Sequence, residues 1–365
     1  MKPKILYICP GSFGETHGVI QKVTRRVEYW NTQGFETKIV TYKDIHFNFF
    51  QKILLRLPLP PLHAIIYFIK FPLCVKDIQK KFKADIIYTR HFPTPFLMPK
   101  DAKLILEVNG RVLNFAPKTS LLLKTLLRKS VDYYNKNCVG LVIVGEGLES
   151  CFTVKNFITI PNSILETSDI VLENFVKRAQ KKASILRERK VVFLATKNRA
   201  YYSLNSVMKM LSKLEKPIKL TVIGPIRVNE ERIPEDLDIE FCGSLYGEEL
   251  SKELSSALIG FGVLSAGAVL NSKASPLKTR SYLQHALPVY TENNDTDYIT
   301  PSPFFFGTDQ SDSKSLQAYA NELNTFIDNV EQNSFTPHES LPPEIYKTCL
   351  DQRENKTLTF FLEDI

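Results

Sequence analysis

The segment NSKASPLKTRSYLQHALPVY (271–290) holds the residues best placed to do chemistry. Ser275 followed by Pro276 has the form of an N-cap with proline at the first helical position, so a helix should open there with its first amide groups exposed. Lys278 and Arg280 fall within the first turn and a half. Cations at that end oppose the helix dipole, an arrangement that an anion bound at the same place would offset. The expected chemistry is phosphate or diphosphate binding, with Ser275, Lys278 and Arg280 as ligands. A second segment, PGSFGETHGV (10–19), includes Gly14 and Gly18 in a glycine loop that lets backbone approach a ligand closely. It lacks the Lys-Ser/Thr of a Walker A loop and is not a GxGxxG sequence.

Both segments need strands and helices to hold them. Short β-branched runs alternate with helical patterns along the whole chain, the signature of parallel βαβ units. In the first half the expected strands are 5–9, 37–42, 84–89, 103–108 and 140–145. Val19, Val23, Val27 and Trp30 recur at helical spacing between the first two, and Gly34 should end that helix. Residues 165–189 are polar and without strand pattern, which suggests a domain boundary. Strands are expected again at 191–196, 219–224, 238–243, 258–264 and 287–291, with helices near 203–213, 247–257 and 276–285. The sequence from about 341 reads as helix, with Phe360, Phe361 and Leu362 as apolar anchors.

The chain has 365 residues, of which 44% are hydrophobic and 24% charged, values that argue against disorder or a fibrous repeat and leave room for two domains. Its six cysteines are far apart, with no paired spacing and no histidine cluster beside them, so reduced thiols are expected. The opening MKPKILYICPG reads as a buried strand, too short in its apolar run for a signal sequence. No stretch has the roughly 18 apolar residues of a membrane span. Residues 1–165 carry 24 Lys+Arg against 11 Asp+Glu, a net +13, and the remainder carries 23 against 28, a net −5. The basic half should face something anionic. Nucleic acid is not expected, because no basic recognition element interleaved with aromatics is present. Residues 46–83 combine seven basic residues and one acid with many Phe, Leu and Ile, as an interfacial helical hairpin on anionic lipid would require.

In order along the chain, HGVIQKV, LEVNGRV, VGLVIVGEGLE, ITIPNSI, KLTVIGP, IEFCGSLYGEEL and SPLKTRSYLQHALPVY resemble the motifs of the retaining GT-B glycosyltransferases of family four. The resemblance implies an α/β fold of two Rossmann-like domains whose parallel sheets face a central cleft: an acceptor-side domain at 1–170 and a nucleotide-sugar donor domain at 186–340, with a helix at about 341–365 packing back on the first. It implies a hexosyltransferase-type, retaining and metal-independent reaction from a nucleotide-diphosphate sugar, without cofactor. The acceptor would be a saccharide or lipid-pyrophosphate-linked saccharide, in surface polysaccharide or glycoconjugate synthesis of bacterial type. Such a protein would be cytoplasmic, and peripheral on the inner face of the membrane.

Carried over by position, Lys197 or Arg199 would meet the donor diphosphate together with Lys278. Gly224, Gly243 and Ser244 to Tyr246 would form the nucleotide pocket, with Tyr246 stacking on the base, and the backbone around 266–272 would receive the sugar. Glu107, Asn109, His17 and His91 are the expected catalytic contacts. Asp295-Thr296-Asp297 has the DxD form of a metal site, but the resemblance places it in an acidic surface loop. The family's two glutamates would stand at Lys273 and Ser281, and the second normally anchors the ribose. That departure keeps a catalytically silent GT-B-like subunit open as an alternative, beside a sugar-nucleotide epimerase of the same architecture.

Overall fold

Strands that are apolar on both faces are stable only inside a parallel sheet covered by helices. In the computed structural model, which describes residues 2–10, 18–46, 60–110, 121–145, 147–195, 204–226, 228, 233–264, 275–292, 295–298, 302–307, 315–336 and 340–363, two such sheets form. The chain divides into unit 1, Met1–Ile160 with Glu354–Ile365, and unit 2, Pro161–Arg353.

The elements of unit 1 are β1 (Lys4–Cys9), α1 (Gly18–Thr32), β2 (Glu36–Thr41), α2 (Pro60–Phe82), β3 (Ile86–Arg90), β4 (Lys103–Val108), α3 (Leu121–Asn137), β5 (Cys138–Ile143) and β6 (Phe157–Thr159). Those of unit 2 are α4 (Ser168–Gln180), α5 (Lys182–Glu188), β7 (Lys190–Leu194), α6 (Leu204–Leu211), β8 (Lys219–Ile223), β9 (Ile239–Gly243), α7 (Gly247–Ser256), β10 (Ile259–Phe261), α8 (Leu277–Gln284), β11 (Val289–Thr291), β12 (Phe305–Gly307), α9 (Leu316–Asn333) and α10 (Pro343–Tyr346). The last helix, α11 (Leu350–Glu363), begins in unit 2 and ends in unit 1. All strands pair in parallel, in the orders β2-β1-β3-β4-β5-β6 and β12-β11-β10-β7-β8-β9.

The period-two alternation of β1 sorts its side chains between two cores. Ile5 and Tyr7 join Val23, Val27 and Trp30 of α1, with Phe360 and Phe361 of α11. Leu6 and Ile8 face Phe71 and Val75 of α2 and Leu127 and Tyr134 of α3. Leu362, expected as a third apolar anchor, is instead 53% exposed.

Residues 165–189, polar enough to suggest a boundary, contain α4 and α5, whose Val171, Phe175 and Ile185 are buried in unit 2. Arg178 fixes α4 to the sheet by donating to Ala257 O at 2.8 Å and Leu258 O at 2.9 Å. Of the segment 46–83, residues 47–59 lie outside the described residues, and the rest is chiefly α2. Ile65, Ile69 and Leu73 of α2 are exposed at successive four-residue steps. Among the described residues no helix is long and apolar enough to cross a membrane.

Candidate functional site

In unit 2 the chain lays β8 and β9 to one side of β7 and β10, β11 and β12 to the other. Open α/β sheets take ligands beyond the carboxyl ends of the strands at such a reversal, here β7 and β10. The helix α8 is tied to both strand ends through Tyr282, whose hydroxyl accepts from Leu194 N at 2.8 Å and donates to Phe261 O at 3.1 Å. One turn earlier, Lys278 Nζ donates to Gly262 O at 2.5 Å and lies 5.1 Å from the Phe193 ring centroid. Burial lowers the Lys278 pKa to about 7. A negative charge beside it would favour the charged form.

Arg280 does not serve as expected. Its side chain is buried, and its Nη1 and Nη2 grip Asp295 at 2.9 and 2.7 Å, Nη2 reaches Asp297 at 2.6 Å, and Nε donates to Asn162 O at 2.7 Å. With its donors committed to carboxylates it is a structural clamp rather than a diphosphate ligand. The DxD sequence is correspondingly not a surface loop: Asp295 and Asp297 are 6% and 7% exposed, and Asp297 also accepts from Arg353. Ser275 is not the N-cap. The cap is Pro276, and Ser275 is buried with its Oγ accepting from Asn162 N at 2.9 Å while its carbonyl accepts from Asn162 Nδ2 at 2.7 Å.

Gly224 follows β8 at φ +131°, where a Cβ would stand 1.7 Å from Ala195 O. Only glycine lets the ends of β7 and β8 close together this far, and its N–H donates to Gly243 O at 2.6 Å. Beyond Gly243 the loop is exposed at Ser244 and Tyr246, and Tyr246 is the N-cap of α7. Ser281, expected in the nucleotide pocket, turns its hydroxyl back onto Leu277 O at 3.2 Å, and its carbonyl pairs with His285 Nδ1 at 2.8 Å. Lys197, Arg199, Lys273 and the segment 266–272 lie outside the described residues, as do Gly14 and His17 in unit 1.

In unit 1 the strand order turns at β1 and β3, and a buried polar cluster occupies their carboxyl ends with that of β4. Glu107, 1% exposed, accepts at Oε2 from Tyr7 at 2.8 Å, from Tyr88 at 2.9 Å and from Arg26, and at Oε1 from Lys22 at 3.1 Å. Arg90 Nε stands 3.8 Å from Oε1. Arg26 Nε also donates to Glu354 Oε1 at 2.8 Å, and Trp30 Nε1 to Glu354 Oε2 at 3.0 Å. Burial alone would raise the Glu107 pKa; Lys22, Arg26 and Arg90 outweigh it and hold the carboxyl well below the usual carboxylate range. Burial lowers the Lys22 pKa to about 8 against the pull of Glu107. Glu107 is therefore a fixed counter-charge that orients cations, not the direct sugar contact expected of it.

His91, just past β3, pairs its Nε2 with Ser130 Oγ at 2.8 Å. Ser130 spends its own proton on Leu127 O at 2.6 Å, so the Nε2 carries the hydrogen and Nδ1 is left as an acceptor. Burial lowers the His91 pKa to about 4, so the ring is neutral at physiological pH. Asn109 is exposed beyond β4, with Nδ2 3.5 Å from Glu107 O, and Gly18 is the first residue of α1.

Sequence reasoning missed Lys22, Arg26 and Arg90. A signal was present: Lys22 and Arg26 lie at four-residue steps before Trp30, on the face of α1 that also carries Val23 and Val27. Cations on an apolar face point to a buried partner.

With this geometry in hand, the fold can be placed. The glycosyltransferase of Rickettsia africae superposes with a TM-score of 0.63 at 12% identity, over 100% of both chains. HepE of Anabaena, in complex with UDP-glucose, gives 0.59 at 11%, also over 100% of both. An α-glucosyltransferase in complex with UDP-glucose and DNA containing an abasic site gives 0.57 at 13%, over 98% of both. The chain has the GT-B-like α/β fold of these proteins, with two parallel six-stranded sheets. No protein-family model matches the sequence, and no curated protein does.

Proposed function

We propose that the protein is a glycosyltransferase that takes a sugar from a UDP-sugar, with unit 2 as the donor side and unit 1 as the acceptor side. The observation that carries this reading is Lys278 at the β7/β10 reversal, in a fold whose UDP-glucose-bound relatives match it from end to end. Lys278 and the opening turn of α8 meet the diphosphate, Gly224 and Gly243 admit the nucleotide beside the strand ends, and Tyr246 stacks on the base. As the glycosidic bond breaks, negative charge grows on the departing UDP, and a preorganised lysine and helix terminus stabilise it without metal. His91 Nδ1 accepts a hydroxyl of the acceptor, and configuration at the sugar is retained. The acceptor is a saccharide or lipid-linked saccharide of surface polysaccharide synthesis, reached by a protein peripheral on the cytoplasmic face of the membrane through α2.

A thermal-shift and calorimetric panel of UDP, UDP-sugars, GDP-sugars and dTDP-sugars tests the donor. UDP-sugars should raise the melting temperature, because they bind only the folded chain. Absence of any nucleotide response sinks the reading. UDP release should then depend on an acceptor, and DNA belongs in that panel because a structural neighbour is in complex with it.

One observation favours a second reading. Ser281, at the position of a ribose-binding glutamate, offers its hydroxyl to its own helix. A silent GT-B-like subunit would bind no nucleotide sugar in the calorimetric panel and would bind a catalytic partner instead.

A further inference from the structure

The cluster at the carboxyl ends of β1, β3 and β4 contains more positive charge than its own carboxylates answer. Lys22, Arg26 and Arg90 face Glu107 and Glu354, three cations to two anions among the described residues. Each carboxylate is already supplied with donors: Glu107 takes bonds from Tyr7, Tyr88, Lys22 and Arg26, and Glu354 from Arg26 and Trp30. Arg90 is the cation left over. Among the described residues its nearest carboxylate oxygen, at 3.8 Å, is beyond hydrogen-bond range, and burial favours the neutral form of the Cys9 thiol, which therefore answers none of its charge. The side chains of Lys22 and Arg26 are 6% and 2% exposed, whereas that of Arg90 is 21% exposed. Arg90 is thus the one of the three cations whose side chain keeps partial contact with solvent, at the reversal between β1 and β3 where an open α/β sheet takes its ligand.

We propose that Arg90, backed by Lys22 and Arg26, is an oxyanion subsite of unit 1 that takes the phosphate or carboxylate group of an acidic acceptor. A guanidinium fork binds such groups through paired, charge-assisted hydrogen bonds, and an anion there cancels the surplus charge. The subsite stands on unit 1 alone; naming its occupant an acceptor rests on the glycosyltransferase reading.

The full chain is titrated with inorganic phosphate, pyrophosphate and glucuronate, each against sodium chloride of equal ionic strength, and in parallel with UDP. Saturable stabilisation beyond the chloride control is expected, and Arg90→Gln should weaken it about 10-fold or more while leaving the UDP response intact. Lys278→Met should do the reverse. Preference for the phosphates marks a phosphate-bearing acceptor, and preference for glucuronate an acidic sugar. Arg90→Lys, which keeps the charge and loses the fork, should melt as the wild type does and bind at intermediate strength. Stabilisation no greater than with chloride, or equal in wild type and both Arg90 variants, overturns the subsite. A UDP response missing in wild type beside an intact Arg90-dependent anion response would overturn the donor assignment and leave the subsite standing.

Discussion

Two cations two residues apart on α8 meet opposite fates, and the difference lies in what each finds within reach. Arg280 finds Asp295 and Asp297, and the resulting buried pairs mean that Arg280→Met leaves Asp295 without a counter-charge and Asp297 with Arg353 alone. Loss of about 3–5 kcal/mol is expected from urea denaturation, because breaking one side of a buried ion pair strands the other. Lys278→Met should instead cost turnover, by about 3 kcal/mol of transition-state stabilisation in steady-state kinetics. It should also change the pH dependence of stability. Lys278 and Lys22 have pKa values lowered to about 7 and about 8 from 10.5, so between those values and 10.5 the unfolded chain binds protons that the folded chain does not. Stability from these groups therefore rises with pH across that window, and neither contributes a slope below it or above 10.5. In Lys278→Met the rise should begin near pH 8 rather than pH 7, as read from urea midpoints.

Elements were legible where pattern and length both spoke. The strands β1 to β5 and β7 to β11 and the helices α1, α6, α7 and α8 follow from apolar runs and 3.6-residue spacing, within the usual uncertainty at their ends. The three-residue strands β6 and β12 have only brief apolar runs around them, unlike the equally short β10 and β11, which sit in LIGFGVL and LPVYT, and α4 and α5 bury so few apolar residues among lysines and glutamates that they read as linker. At the candidate site, the place of Lys278 in the first turn of a helix was legible. The loss of Arg280 and Ser275 to structural roles was not, because their partners Asn162, Asp295 and Asp297 come from loops that sequence spacing does not bring together. Exposed apolar positions are read with equal difficulty. Ile65, Ile69 and Leu73 are 41%, 49% and 45% exposed along one face of α2, next to Lys76, Lys80 and Lys81. If this face meets anionic lipid, changing all three to serine should abolish flotation with anionic vesicles while moving unfolding midpoints little, since exposed substitutions typically stay within about 0.5 kcal/mol each. Equal flotation of wild type and variant would remove α2 from the membrane.

The whole molecule is not divided where the chain order would divide it, because unit 1 is finished by the last residues of the chain. Glu354 accepts from Arg26 and Trp30, and Leu358, Phe360 and Phe361 fill the core beside Tyr7, Tyr88 and Trp30. A chain ending at Arg353 would lose all four. Removing buried Leu and Phe side chains costs about 2–5 kcal/mol each, so together they approach or exceed the roughly 5–15 kcal/mol that a domain has to spare. Arg26 would also lose its second carboxylate, leaving Lys22, Arg26 and Arg90 on Glu107 alone. The strands of unit 2 draw their core from other residues, such as Val191, Phe193, Val222 and Phe261. Hydrogen exchange on the truncated protein should therefore show protection lost in β1, β3 and β4 and kept in β7, β8 and β10. Equal protection in both sets would mean that α11 is dispensable to unit 1, and equal loss would mean that the two units do not unfold separately.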